Sequence, residues 1–99
     1  MTGLLSACLQ SETQIVDLAR DLVAAESPST DRDALEHCAA VLVARLVGAG
    51  ASVERVDANS TAAHVLAEWA GTGPRVLLVG HFDTVWPVGQ LARMRYGVK

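Results

Sequence analysis

The segment Val76-Leu77-Leu78-Val79-Gly80-His81-Phe82-Asp83-Thr84-Val85-Trp86-Pro87 sets an apolar run against a glycine, then a histidine and an aspartate two residues apart. Apolar and polar residues do not alternate in the run, so it reads as a strand covered on both faces. His81 and Asp83 then fall just past its carboxyl end. In open α/β sheets that edge is where ligands and catalytic groups gather.

Outward from this segment, Ala70-Gly71-Thr72-Gly73-Pro74 is a loop too short for a parallel crossover. The strand before it, Ala63 to Trp69, is therefore expected to pair with the apolar run as an antiparallel hairpin. His64, Leu66 and Glu68 alternate with Val65, Ala67 and Trp69, which makes one face wetter. Asp57 to Thr61 carries turn chemistry, and Ala51 to Val56 reads as a further strand. Upstream, a helix is expected from about Asp31 to Val47, capped by Thr30, with Asp31 and Asp33 favoured in its first turn. Leu35, Cys38, Leu42 and Leu46 form its stripe, and Gly48 and Gly50 supply the stop. An earlier helix runs from Ser11 to about Ala25. Ser11 and Gln14 suggest a capping box, and Ile15, Leu18 and Leu22 share a face. Ser27-Pro28-Ser29 ends it, because residues before proline avoid the α region.

The expected fold class is α/β: two helices, then three strands with a hairpin, in a mixed sheet. A strand apolar on both faces needs cover on both sides. The chain offers little, and residues 88–99 show no clear element. Residues 1–99 are thus expected to be the N-terminal part of a larger domain. The alternative is a small α+β domain that dimerises through its open sheet.

Ninety-nine residues allow one small domain, and 51% hydrophobic against 19% charged residues makes it globular rather than disordered. A net charge of −3 argues against nucleic-acid and anionic-membrane partners, which need a basic patch. No run approaches the roughly 18 apolar residues of a bilayer span. Leu5-Ser6-Ala7-Cys8 looks like a lipoprotein cleavage box but lacks a preceding Lys or Arg. Cys8 and Cys38 read as small buried hydrophobes in a reducing, cytoplasmic setting.

In an extended segment, residues two apart point to the same side, so His81 and Asp83 face one site. Imidazole is a ready zinc ligand. A nearby carboxylate either shares the ion or takes the other ring N–H and fixes the tautomer. Gly80 permits close backbone approach, and Thr84 offers a hydroxyl. The bland reading is a turn histidine with Asp83 capping the next segment.

The longer string Gly80-His81-Phe82-Asp83-Thr84-Val85-Trp86-Pro87 resembles the first metal motif of the glutamate carboxypeptidase family. These are dinuclear zinc metallopeptidases related to acetylornithine deacetylase, succinyl-diaminopimelate desuccinylase and aminoacylase. The order of helix, Glu26-Ser27-Pro28-Ser29, helix, Gly50, strand, hairpin and motif is also similar, so the resemblance spans about Ile15 to Lys99. Val85-Trp86-Pro87 looks closer to the carboxypeptidase branch than to the deacetylases. The resemblance implies that His81 is a zinc ligand and Asp83 the catalytic-site aspartate that supports it. It implies hydrolysis of a small peptide or N-acyl amino acid, with two zinc ions and a glutamate base in the complete enzyme. It also implies a separate lid and dimerisation domain, and permits a homodimer. The bridging Asp, paired Glu residues, later acidic ligand and final His are expected beyond Lys99, so the chain alone is expected to be inactive. Two alternatives stand beside this: a non-catalytic fragment or binding module that keeps the start of the fold, and an unrelated hydrolase-like sheet. The latter calls for a G-x-S-x-G elbow, which the sequence lacks.

His37 and His64 read as solvated, and Cys38 as core. Glu26-Ser27 reads as a turn and cap, since no base lies beside Ser27 in sequence. Trp69 is expected under the hairpin, and Trp86 lines a cleft or wedges the turn before Pro87. Arg93 and Arg95 meet a substrate carboxylate or water.

Overall fold

A computed structural model describes residues 2–56 and 64–94. Three helices come first: α1 (Thr2–Gln10), α2 (Glu12–Ala24) and α3 (Arg32–Gly48). Strands β1 (Ser52–Val56) and β2 (His64–Glu68) follow, then a short 3₁₀ turn at Gln90–Ala92. Among the described residues the architecture is mixed α and β.

Asp31, not Thr30, caps α3. It is extended (φ −111°, ψ 98°), and its carboxylate accepts from the Ala34 N–H at 3.0 Å. A shorter, charged acceptor at the helix's positive end outcompetes the threonine hydroxyl. At the other end Gly50 takes φ 93°, and the Ala51 N–H returns to Leu46 O at 3.1 Å. Only glycine adopts that conformation at little cost. The expected stripe of α3 is buried at Leu35 and Cys38, with Ala39 fully buried beside them.

The earlier helix expected from Ser11 to about Ala25 is α2, and α1 precedes it as a helix of its own. Ser11 makes no side-chain cap bond, so the capping box is not formed. Leu18 and Leu22 are half-buried, while Ile15 is exposed. Cys8 is exposed, against the expectation of burial, because α1 packs mainly against α2 among the described residues. An Arg45–Asp21 ion pair crosses from α3 to α2. Both partners are half-exposed, so it contributes at most about 1 kcal/mol.

β1 and β2 pair antiparallel, Ser52 opposite Glu68 and Val56 opposite His64. Val53, Val65 and Ala67 are half-buried on one face, while Glu54, Leu66 and Glu68 face out. The expected alternation in the second strand is therefore present. The hairpin is β1–β2; its connection, residues 57–63, lies outside the described residues, as does Arg95.

The apolar run does not pair. Val76, Leu77, Leu78 and Val79 are 80–89% exposed, each with solvent on both faces. The expected hairpin with β2 and third strand are thus not formed among the described residues. The run needs cover on both faces, and the thin core of the described residues supplies none. The buried apolar core of the described residues is correspondingly thin: Ala25, Leu35, Cys38 and Ala39. A radius of gyration of 15.4 Å, against about 13 Å for a compact chain of this length, reflects it. No described helix is long and apolar enough to cross a membrane.

Candidate functional site

The site is assembled where residues 26–29 meet residues 81–84. Both segments are extended and run parallel, joined at a bridge between Pro28 and Thr84. The Thr84 N–H donates to Ser27 O at 2.7 Å, and the Ser29 N–H donates to Thr84 O at 2.9 Å. Thr84 thus bonds the residues on either side of Pro28. The missing N–H of Pro28 falls where the parallel ladder makes no demand on it, so proline fits at the centre.

Ser27 and Ser29 are two apart in extended backbone, so both hydroxyls face the motif. Ser27, only 2% exposed, donates to Phe82 O at 2.6 Å. Ser29 donates to Asp83 Oδ2 at 2.6 Å and lies 3.1 Å from Thr84 O. A hydroxyl has one hydrogen, and the shorter contact is the one to the charged acceptor.

His81 and Asp83 are brought together as expected. His81 Nδ1 lies 3.0 Å from Asp83 Oδ1 and 3.1 Å from the Asp83 carbonyl oxygen. Both oxygens only accept, so Nδ1 carries a proton, and in the neutral ring Nε2 keeps its lone pair. The imidazole is 83% exposed, the carboxylate 43%. The Ser29 hydroxyl above all holds the Asp83 carboxyl below its ordinary pKa; desolvation opposes it, and His81 adds to the lowering.

Glu26 is spoken for. Its carboxylate accepts from the Gly89 N–H at 3.0 Å on each oxygen and from the Leu91 N–H at 3.3 Å. It caps the 3₁₀ turn at Gln90–Ala92, an element the sequence did not announce. Gly89 opens that turn at φ 99°. Glu26 is therefore a cap, but of a turn 63 residues away.

A cavity of about 440 Å³ opens beside His81, walled by Leu22, Val23, Phe82, Trp86, Leu91 and Met94 among others. Trp86 lines this cleft and stays half-exposed. Trp69 is also half-exposed and does not pack under the hairpin; its indole N–H donates to Ala49 O at 3.0 Å. His37, His64 and Arg93 are exposed. A Cβ at Gly80 would meet nothing within 4 Å, so among the described residues no close approach requires glycine there.

Sequence reasoning found His81 and Asp83 but missed Ser27, Ser29 and the use of Thr84 through its backbone. The available signal was a serine on each side of a proline in one extended segment. As a metal site the arrangement is partial. His81 Nε2 suits a zinc ion, but no group of three or more His, Cys, Asp or Glu among the described residues could hold one. No family model, curated protein or solved structure matches the chain.

Proposed function

We propose that this chain supplies one ligand and its support to a zinc-dependent amide hydrolase, most like a glutamate carboxypeptidase. The observation that carries the reading is the placement of His81: Nδ1 lies 3.0 Å from Asp83 Oδ1 while the imidazole is 83% exposed, which leaves Nε2 as the ring nitrogen available to a metal. The motif's resemblance to that family adds the reaction class. A bound zinc ion lowers the pKa of a water and polarises a scissile carbonyl.

The chain's own residues have narrower tasks. His81 offers Nε2. Asp83 fixes the ring and, as an anion, raises the basicity of the outward nitrogen. The Ser27–Thr84 and Ser29–Thr84 backbone bonds keep the motif from swinging away. Trp86 and Phe82 put an apolar wall beside the imidazole, where a substrate side chain can exclude water. Glu26 is no candidate base, since both its oxygens are occupied by backbone donors. Catalytic zinc sites use three protein ligands. The proposal therefore requires the remaining ligands and the base from outside the described residues, and the chain by itself is inactive.

A second reading, a non-catalytic binding module, is favoured by the exposed run Val76–Val79, which offers a strand edge and two apolar faces to a partner. The test between them is the mass and metal content of the protein isolated under non-denaturing conditions. A species well above the 10.4 kDa of this chain, carrying two zinc ions, supports the hydrolase. A metal-free species at 10.4 kDa contradicts it.

A further inference from the structure

We propose that Ser29 is the positioning residue of the His81 site, its hydroxyl locking the Asp83 carboxylate so that the imidazole is held with Nε2 outward. The inference rests on the reading of His81 as a ligand for its interest, but not for its geometry.

Three observations carry it. First, the Ser29 hydroxyl is not needed to hold the backbone. The Ser29 N–H to Thr84 O bond, the Thr84 N–H to Ser27 O bond and the Ser27 hydroxyl to Phe82 O bond already clamp the two segments. The short bond from the Ser29 hydroxyl instead goes to Asp83 Oδ2. Second, the two carboxylate oxygens are divided: Oδ2 takes Ser29, and Oδ1 takes His81. Rotation about the Cβ–Cγ bond of an aspartate is otherwise soft. Pinning one oxygen aims the other. Third, the aim matters, because the tautomer of an imidazole is set by what its other nitrogen bonds. With Oδ1 turned away, His81 Nδ1 keeps only the neutral Asp83 carbonyl, a weaker acceptor than the carboxylate, and the Nε2–H form gains share. A protonated Nε2 cannot bind a metal ion.

Ser29 is thus a serine 52 residues before the histidine it serves, acting through Asp83. It touches no substrate. Removal of such an outer partner typically weakens metal affinity about 10–100-fold.

The test uses the metal-free 99-residue chain, labelled with ¹⁵N, at a pH where imidazoles are neutral. Long-range ¹H–¹⁵N spectra report the tautomer of each histidine, with His37 and His64 as internal references. Ser29→Thr and Ser29→Val have nearly the same shape and differ by the hydroxyl, so their comparison holds whatever either costs in stability. The Nδ1–H form of His81 is expected to predominate in the parent and in Ser29→Thr, and to lose share to the Nε2–H form in Ser29→Val. Ser27→Ala, which removes the hydroxyl bond to Phe82 O alone, is expected to leave the tautomer in place. An unchanged tautomer in Ser29→Val overturns the proposal. So does an equal change in Ser27→Ala, which would make Ser29 one more part of the clamp. The tautomer is read without metal, so its failure is distinct from a failure of the proposed function, which is read from the mass and metal content of the native protein.

Discussion

The Ser29 hydroxyl and the Asp83 carboxylate meet at 2.6 Å across 54 residues of sequence. Through that bond a turn after α2 reaches the histidine at the end of the apolar run. The site is therefore a product of tertiary contact between two extended segments, and its behaviour follows from that contact.

Asp83→Asn removes the charge that keeps the proton on His81 Nδ1. The amide can rotate to offer either a donor or an acceptor, so the ring is no longer held in one form. Zinc affinity at His81 is expected to fall by about tenfold or more. A zinc titration followed at the His81 ring nitrogens measures it, and an affinity equal to the parent's counts against Asp83 as the support.

The stability supplied by Asp83 has a defined pH range. Its folded pKa is depressed by Ser29 and His81. A depressed carboxyl stabilises the fold above its unfolded pKa of about 3.9, and that contribution is lost as pH falls through the lower folded value. Thermal melts of the parent and Asp83→Asn should differ above about pH 4 and converge as the pH falls below it. A difference that grows on acidification would reverse the assigned sign.

Glu26→Gln tests the cap on the turn at Gln90–Ala92. A charged acceptor of backbone N–H groups contributes about 1.5–3 kcal/mol per bond. The amides of Gly89 and Leu91 should exchange at least tenfold faster in the variant, while those of α3 keep their rates. Unchanged exchange at Gly89 would mean that another group satisfies that donor.

The exposed run makes a prediction of the opposite kind. Leu77 and Val79 are 80% and 87% exposed, so replacing both with lysine forfeits no buried area. The parent should bind a hydrophobic dye and self-associate through residues 76–79, and Leu77→Lys/Val79→Lys should do both less with an unchanged denaturation midpoint. A loss above about 1 kcal/mol in the double variant would mean that these side chains are buried in solution.

Ala39 is the reverse case. It is fully buried against the α2–α3 packing. Ala39→Leu should cost about 1–3 kcal/mol by overpacking, read from chemical denaturation. A neutral result would mean that the helices separate easily.

Helix α3 was legible because its signals are local: Leu35 and Cys38 recur at helical spacing, an acidic cap precedes them, and glycines follow. Even there the cap moved from Thr30 to Asp31, since two adjacent residues can each fill that role and only geometry chooses. The start of α2 at Ser11 was legible too, although the capping box that marked it forms no cap bond, and α1 before it was not expected. Val76–Val79 has the composition of a central strand, yet pairing is decided by partners rather than by the run. His81 and Asp83 were found because two residues of spacing place them on one side. Ser27, Ser29 and Glu26 were not, because contacts over 54–65 residues leave no periodic trace.

The most direct measurement is a zinc titration of the ¹⁵N-labelled chain, read at both ring nitrogens of His81. The account predicts that Nε2 shifts with added zinc while Nδ1 stays protonated, with His37 and His64 responding less. A His81 that binds zinc through Nδ1, or responds no more than His37 and His64, would contradict it.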